Sequence, residues 1–499
     1  MKGAAVILFA MLFLITALGC VPRNDVSDDS ASSTVETNTS QTANVIKATP
    51  FTLAYSSNDT LNPYNTENSV NLQLCSLIFE GLARLDNIIT PKPLLAGAID
   101  SSIPSNITAT LRKNAKFSDG SGVTLEDVIN SFDLAKKSDN YKMLLSNVKT
   151  CKAEGDSIIF ELNAPDPNAT ACLTFPILKK GSEKKPIGSG RYIFKEGDSP
   201  KLVANTRNSS KANIKTIHLL DVSDGDAILY ALESGSVSYY FTDLAGGDIP
   251  RTSSASIKVP LNSVVFIGIN SGRSALSKPE VRLALSNAVN RKDICAGAFA
   301  GRARPATTPF NPNWASSAQL KGFKIEENIT AAVAQLELAG YNNKSTEKNV
   351  LSLELLVSEG NSFREASAQL IKSQFAKVGI KLTVVKDSFN NTVKRIKSGD
   401  FDLYIGEVLL PFNMSLGSFL SKGGKASYGI KLNGNTASDY IKYLNGNLTL
   451  QEFTDTFTAD VPYIPICWRD GMAAYNRSLS GMNPISSDIF YGLESSVYS

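Results

Sequence analysis

The residue types that catalyse reactions are sparse in this chain, and their spacing limits the chemistry. His218 is the only histidine among 499 residues, so an HExxH zinc site is excluded and a Ser-His-Asp hydrolase would have to use this residue. It lies in the alternating segment IKTIHLLDV (214–222), which predicts a strand and a structural or surface role. The sequence has no GxSxG nucleophile elbow. Paired carboxylates remain a possible catalytic device, because Asp and Glu total 47.

The cysteines do not have the spacing of a metal or redox motif. They are Cys20, Cys75, Cys151, Cys172, Cys295 and Cys467. Without a CxxC pair, a zinc ribbon and a thioredoxin-type site are excluded. Cys151 and Cys172 could flank a hairpin and form a disulfide, or all the cysteines after Cys20 could be buried thiols that act as small apolar residues. The scarcity of His and Met disfavours nickel or haem as a ligand, and we expect neither a metal nor a cofactor.

The charge distribution argues against a nucleic-acid partner. The net charge is +3 at pH 7, the basic residues form no stripe, and aromatic residues are not interleaved with Lys or Arg runs. Proteins that bind nucleic acid normally show such a basic footprint.

The N-terminal segment ends in a cysteine that could carry lipid. Lys2 precedes an apolar run from Ala4 to Gly19, which is shorter than the roughly 20 residues of a membrane span and fits a secretory signal. The sequence ALGC (17–20) resembles the lipobox of bacterial lipoproteins, in which the cysteine is acylated and becomes the first mature residue, although Leu is usual at the position of Ala17. Ordinary signal cleavage and an uncleaved anchor are the alternatives.

We therefore expect residues 1–19 to be a lipoprotein signal peptide and residues 20–48 to be a flexible tether. The tether is rich in Ser, Thr, Asn and Asp and has no aromatic residue, so it cannot bury a core. The folded part, about 450 residues from Thr49, is large enough for two or three domains.

Alternating periodicities predict a mixed α/β fold for that part. Strands are predicted at FTLAY (51–55), ITATLR (107–112) and SIIFEL (157–162). A helix is predicted over 123–136, with Thr124 as its N-cap three residues before Asp127. Further along, strands 352–358, 380–385 and 401–408 alternate with a helix that Gly379 ends and with a short helix over 392–396, the pattern of a parallel sheet. The segment 279–300 is predicted as one amphipathic helix, with Arg282, Arg291 and Lys292 on its solvated face.

Four segments resemble a known family. LNPYNTENSVNLQLCSLIFEGLARLD (61–86) resembles the opening of the family 5 extracellular solute-binding proteins, which are the oligopeptide, dipeptide and nickel receptors of ABC importers. FSDGSGVTLEDVINSF (117–132), PIGSGRYIF (186–194) and FIGINSGRSALSKPEVRLALSNAVNRKDI (266–294) are similar to later segments of that family, with departures at Leu125, Ser189 and Arg191. They occur in family order and spacing, and the resemblance covers the chain from about Thr49 to its C-terminus.

The resemblance implies a two-lobe fold of the periplasmic-binding-protein type II, with an extra subdomain in the first lobe. Lobe I would comprise residues 49–71, 179–269 and 461–499, its subdomain residues 72–178, and lobe II residues 270–460. Crossing strands would join the lobes, and a ligand would be enclosed in the cleft between them.

The implied function is that of a membrane-anchored receptor without enzymatic activity. It would be a monomer that captures a solute, most simply a peptide, and delivers it to the permease of an ABC transporter. It would lie at the cell surface, held by lipid to the outer face of the cytoplasmic membrane as in Gram-positive bacteria, or in the periplasm. The alternatives are a lipoprotein that senses its ligand without import and a secreted enzyme that acts on cell-wall material.

The resemblance also places candidate ligand residues. In peptide-binding members a G-W-x-x-D-Y segment supplies an aspartate that pairs with the peptide α-ammonium, but Leu410 stands at that position here. Glu407 is the nearest acid that could replace the aspartate, and Gly406, Val408 and Leu409 belong to the same segment; a structural salt bridge is the alternative role for Glu407. Glu67, Asn68 and Ser69 fall where the family offers backbone groups to a peptide, unless they form a plain loop.

The two tryptophans complete the candidate site. Trp468 follows the strand-like YIPIC (463–467) and could stack on a ligand or fill the core. Trp314, in the polar loop FNPNWASS (310–317), could face the cleft.

Overall fold

A computed structural model describes residues 49–341 and 349–499 of the chain. The signal peptide, the tether and Cys20 lie outside the described residues. Within the described ranges, the apolar helices are all too short to pass through a bilayer.

The described part contains helices and strands in alternation along the chain. The helices are α1 (Ser69–Ile78), α2 (Leu125–Lys137), α3 (Gly225–Glu233), α4 (Pro279–Ala288), α5 (Arg291–Gly297), α6 (Ile329–Leu338), α7 (Ser362–Ala376), α8 (Phe389–Ser398), α9 (Gly417–Leu420), α10 (Asn435–Leu444) and α11 (Leu450–Asp460). The first strands are β1 (Thr52–Tyr55), β2 (Ala83–Leu85), β3 (Pro91–Pro93), β4 (Ala96–Asp100), β5 (Asn106–Leu111), β6 (Val148–Glu154), β7 (Ser157–Leu162), β8 (Tyr192–Lys195), β9 (Lys201–Ala204) and β10 (Thr216–Asp221). The later ones are β11 (Tyr239–Thr242), β12 (Ala255–Ile269), β13 (Ala303–Pro305), β14 (Ser352–Ser358), β15 (Lys381–Asp387), β16 (Leu403–Leu409), β17 (Tyr463–Tyr475), β18 (Leu479–Ser480) and β19 (Val497–Tyr498).

The long strands β12 and β17 form the centre of an eleven-stranded sheet. The strand order is β15-β14-β16-β12-β17-β11-β1-β10-β9-β8, and β13 pairs with β17 beside this path. β12 and β17 are antiparallel and remain paired from Ala255 opposite Tyr475 to Gly268 opposite Tyr463, with irregularities between Pro260 and Val264 and between Val265 and Phe266. They therefore connect the strands on one side of the sheet, β14 to β16, with those on the other, β1 and β8 to β11.

A second, four-stranded sheet lies in the segment expected to be the subdomain. Its order is β4-β5-β7-β6 and all its pairs are antiparallel. Helix α2 packs on it, with the Phe132 ring edge-on to that of Phe160. The fold is thus the mixed α/β two-lobe type that the sequence predicts.

The local predictions are confirmed where they rest on regular patterns. Thr124 and Asp127 form a capping box at the start of α2, and β14 is parallel to both β15 and β16. His218 lies on β10 opposite Thr52 and Lys201, with its side chain exposed. Alternation along a strand and capping are local effects, which the sequence carries by itself.

The prediction of one helix over 279–300 is wrong. The chain breaks between α4 and α5 at Val289 and Asn290, and the Asn290 side chain caps α5 by accepting from the Asp293 N–H. The guanidinium groups of Arg282 and Arg291 do not face solvent, because both residues are buried. Arg291 donates to the carbonyl oxygens of Pro465 (2.9 Å) and Lys324 (3.0 Å). Arg282 donates to the carbonyl oxygen (2.8 Å) and the carboxylate (2.6 Å) of Asp460, so both arginines pair with acceptors in the protein interior.

The suggested bridge between Cys151 and Cys172 is absent, since both are free thiols. Burial raises the pKa of each thiol above its ordinary value. Cys172 is therefore a buried thiol that acts as a small apolar residue, as the alternative interpretation expected, while Cys151 is only partly buried.

Candidate ligand-binding site

The three central strands bring Glu407 into a charge pair with a residue that the sequence did not single out. Glu407 on β16 accepts from the Arg469 Nε on β17 at 2.6 Å. The same oxygen, Oε1, accepts from the Ser263 hydroxyl on β12 at 2.6 Å. The side chains of Arg469 and Glu407 are 4% and 15% exposed, so this is a largely buried ion pair. The salt bridge considered for Glu407 as its structural role is present.

The rest of the segment around Glu407 divides between the core and the surface. A side chain at Gly406 would collide with the Phe266 ring, because its Cβ would lie 2.5 Å from a ring carbon. Val408 packs against a large aromatic cluster, whereas Leu409 at the end of β16 is 71% exposed. Leu410 is only 1% exposed, and its N–H donates to the Asn262 carbonyl at 2.9 Å. Leu410 is therefore a core residue.

Asp59 organises the backbone of Glu67, Asn68 and Ser69. Its Oδ2 accepts from the N–H groups of Glu67 (3.0 Å) and Asn68 (2.8 Å). Burial raises the pKa of Asp59, but these hydrogen bonds together with one from Thr66 outweigh it and lower the pKa below its ordinary value. Asn68 in turn caps α1 by accepting from the Val70 N–H. Two of the backbone donors expected to meet a peptide are thus already paired, and among the described residues no hydrogen bond joins this loop to residues 406–409.

Both tryptophans are buried in the aromatic cluster. Trp468 has 0% exposure, and its Nε1 has no hydrogen-bond partner among the described residues. Trp314 packs on Phe310 with ring centroids 5.5 Å apart. The chain beside Trp314 touches the β2–β3 turn, because the Ala315 N–H donates to the Ile88 carbonyl at 3.0 Å. Trp468 therefore fills the core, while Trp314 lies beside a contact between its own loop and the β2–β3 turn.

A polar contact between segments far apart in the sequence, around residues 166–168 and 413–443, was not predicted. The Asn413 side-chain amide donates to Asp166 Oδ2 at 2.7 Å, and both residues are buried. Nearby, the Asn168 amide donates to the Tyr443 hydroxyl at 2.9 Å. Burial raises the pKa of Asp166 above its ordinary value, and hydrogen bonds from Asn168 and Asn413 only partly offset that effect. In sequence Asp166, Asn168 and Asn413 are ordinary turn-forming residues and Tyr443 lies within helix α10, so no local signal identifies the contact.

A small cavity is lined by segments far apart in the sequence, one of which includes Phe412, the neighbour of Asn413. Its empty space, including open solvent, is about 320 Å³. Its lining combines the Asp86 carboxylate with amides, hydroxyls and apolar groups, among them Asn87, Ile89, Asn313, Phe412 and Ser486. Of the predicted site residues, only the loop of Trp314 approaches this cavity.

The family model for bacterial extracellular solute-binding proteins, family 5 Middle, matches residues 90–426. The oligopeptide-binding protein AppA of Bacillus subtilis is 25% identical over 382 residues, which are 68% of this chain and 69% of AppA. The glutathione-binding protein GsiB of Salmonella typhimurium is 25% identical over 355 residues, which are 65% of this chain and 67% of GsiB.

Two solved structures share the fold over almost their whole length. The murein tripeptide-binding protein MppA in its unliganded open form has a TM-score of 0.74 at 19% identity, covering 91% of this chain and 98% of that one. HbpA2 from Haemophilus parasuis has a TM-score of 0.72 at 20% identity, covering 90% of this chain and 99% of that one. At this identity the likeness concerns the fold alone, which is the two-lobe type II fold of periplasmic binding proteins.

Proposed function

Since the chain belongs to the family 5 bacterial extracellular solute-binding proteins, we propose that it captures a peptide between its two lobes and delivers it to an ABC permease. Members of this family are substrate-binding proteins of ABC transporters, and they are not enzymes. The coarse function is therefore solute binding for transport, and the proposal concerns the solute, the delivery and the anchor.

The observation that carries the proposal is the way β12 and β17 connect the two sides of the sheet. Their pairing is continuous in direction but irregular at Pro260/Val264 and Val265/Phe266, and such irregularities bend strands. A joint made of two bent strands supports rotation of one lobe against the other. A ligand that contacts both lobes shifts that equilibrium toward closure, because those contacts form together only in the closed state.

A peptide is the solute that the relatives support best. AppA is named as an oligopeptide-binding protein, GsiB as a glutathione-binding protein and MppA as a murein tripeptide-binding protein. Glutathione and the murein tripeptide are short peptides, so we propose a ligand of similar size and chemistry. Nickel, the ligand of other structural neighbours, is the second candidate.

We further propose that acylated Cys20 anchors the receptor at the membrane surface through the tether of residues 20–48. A tether that keeps the receptor near the permease raises its effective concentration there. A receptor that senses the solute without import would share the fold and the anchor. Measuring uptake of a labelled ligand in cells with and without the gene separates the two roles.

Native mass spectrometry and thermal shifts test the peptide proposal. Protein purified without denaturation should carry a peptide-sized mass, and a set of di- to hexapeptides should include ligands that stabilise it. At a hundredfold excess over Kd the stabilisation is about 2.7 kcal/mol. Solution scattering should show compaction with the same peptides. Stabilisation by Ni²⁺ with no response to any peptide would contradict the proposal.

A further inference from the structure

Arg469 occupies a central position on the strands that connect the lobes. In the sheet, β12 lies between β16 and β17. The Arg469 side chain on β17 must therefore extend across β12 to reach Glu407 on β16. It does so beside Ser263, whose hydroxyl shares the acceptor oxygen of Glu407. The guanidinium group is therefore held beside β12, and Arg469 is only 3% exposed.

Most donors of this guanidinium group have no partner in the part of the chain that the structure describes. A guanidinium group carries five N–H donors, and among the described residues only the Nε donor of Arg469 has an acceptor. Nη1 is buried, and no residue of 49–341 or 349–499 accepts a hydrogen bond from it. Buried charged donors are almost always paired, because leaving one unpaired costs free energy. The edge formed by Nη1 and Nη2 therefore lacks an acceptor.

We propose that Arg469, and not Glu407, is the charged group that recognises the solute, and that its free edge pairs with a carboxylate of the ligand. Two parallel N–H donors on one planar edge match the two oxygens of a carboxylate. Glu407 is then a positioning residue, which holds the guanidinium group through Nε and leaves the Nη1–Nη2 edge free. This inference rests on the proposed function and adds the ligand group that is recognised.

The identity of the residue after Leu409 fits this assignment. Leu410, at the position where peptide-binding relatives are expected to carry an aspartate, is buried. Glu407 already has a cationic partner in the protein. The aspartate expected to bind an α-ammonium group is thus absent, and Glu407, which could replace it, is already paired. The unpaired charged donors at this position belong to Arg469, which attracts an anion.

Peptides with blocked ends test the assignment. Alanine di- to hexapeptides are each used in three forms: unmodified, N-acetylated and C-amidated. Wild-type protein should bind the unmodified and acetylated forms with similar Kd, and amidation should weaken binding at least tenfold, the effect of losing a charge-assisted hydrogen-bonded pair. Amidated peptides that bind as tightly as unmodified ones, or acetylation that abolishes binding, would overturn the assignment.

Variants locate the effect at Arg469. The double variant Arg469→Met/Glu407→Gln removes both charges of the buried pair, which proteins often tolerate, and circular dichroism checks that it folds. Its ratio of Kd values for amidated and unmodified peptides should fall to about one. Arg469→Lys keeps the charge without the planar fork and should lower the ratio as well. Arg477→Met, a change at an exposed arginine, should leave the ratio as in wild type. A ratio unchanged in both Arg469 variants would overturn the proposal.

A second probe separates this inference from the peptide proposal. If no alanine peptide binds the wild type, acetate is titrated at constant ionic strength against chloride, with the melting temperature as readout. A rise specific to acetate that the double variant loses supports a carboxylate site at Arg469, even though the peptide proposal would then be in doubt. An equal rise in wild type and double variant overturns the site.

Discussion

Leu410 illustrates how a single residue can change role when its surroundings become known. By resemblance it stands where a ligand-binding aspartate is expected, but in the fold it packs in the aromatic cluster that also contains Trp468 and Phe419. A substitution of Leu410 should therefore change the stability of the protein and not its affinity for the ligand.

We expect Leu410→Asp to destabilise the protein without creating a peptide site. An ionised carboxylate at a position that is almost fully buried lacks a partner, so the free energy of unfolding should fall by at least about 3 kcal/mol. Urea denaturation measures this change. Leu410→Met, which conserves volume, should cost less than about 1.5 kcal/mol. A stable Leu410→Asp protein with higher peptide affinity would show that residue 410 faces the ligand.

The proposed lipid anchor also depends on a single residue, Cys20. Only the thiolate sulfur of a cysteine can take the acyl-bearing group, so Cys20→Ser should release the protein into the medium or leave it with its signal peptide. Fractionation and intact mass of the protein measure the outcome. Cys75→Ser, a change at a buried cysteine of the folded part, should leave the membrane fraction unchanged. A Cys20→Ser protein of mature size that still sediments with membranes would contradict lipidation.

At the scale of elements, the chain from Gly188 to Gly190 packs directly on the end of α1. The Gly190 N–H donates to the Ile78 carbonyl at 2.8 Å, and the Gly188 carbonyl accepts from the Ser118 N–H at 2.9 Å. A Cβ atom on Gly188 would lie 2.1 Å from the Ile78 carbonyl oxygen. Glycine is required here by the close approach of two backbone segments.

Gly188→Ala should therefore destabilise the protein by about 1–3 kcal/mol or more, since the atom it meets belongs to the backbone and cannot rotate away. Thermal or urea unfolding gives the value. Gly246→Ala is a matched control, because a Cβ there would meet nothing within 4 Å, and it should stay within about 0.5 kcal/mol of wild type. Equal stability of the two variants would mean that α1 and the 188–190 segment are not in this contact.

At the scale of the whole molecule, the contact of Asp166 with Asn413 joins segments that lie 247 residues apart in the sequence, and it should respond to pH. Burial raises the folded-state pKa of Asp166, while in the unfolded chain an aspartate titrates near about 3.9. As the pH falls through the raised pKa, Asp166 takes up its proton in the folded state before it does so in the unfolded chain. The contribution of this residue to the free energy of unfolding therefore increases until about pH 3.9. The groups that face it, the Tyr440 and Tyr443 hydroxyls, have raised pKa values and stay neutral throughout this range.

The expected result is that Asp166→Asn removes this dependence. Its amide oxygen can still accept from Asn413, so the variant should be at least as stable as wild type at pH 7, and the difference should shrink as the pH falls toward about 4. Urea unfolding at several pH values measures the difference. Asp198→Asn, at an exposed aspartate, should show no such trend. A difference that does not change with pH would mean that Asp166 is not desolvated.

Much of the architecture followed from local patterns. Alternation predicted β1, β7, β10 and β14, and the Thr124–Asp127 spacing predicted the start of α2, because side-chain periodicity and capping act within a few residues. The resemblance of the four segments indicated the family and the two-lobe fold. Helix boundaries were predicted less accurately, because the break at Asn290 divides a segment that was predicted as one helix.

Only the tertiary structure decided which charged and aromatic side chains are buried and with which residues they pair. Whether Glu407 can bind a ligand depends on Arg469, which is 62 residues away in the sequence. The two residues come together because their strands, β16 and β17, flank the same strand, β12. Arg282 is buried because Asp460 pairs with it from 178 residues away. Sequence patterns determine which face of an element is apolar, but partners across a sheet depend on register and strand order, which arise only when distant segments pack.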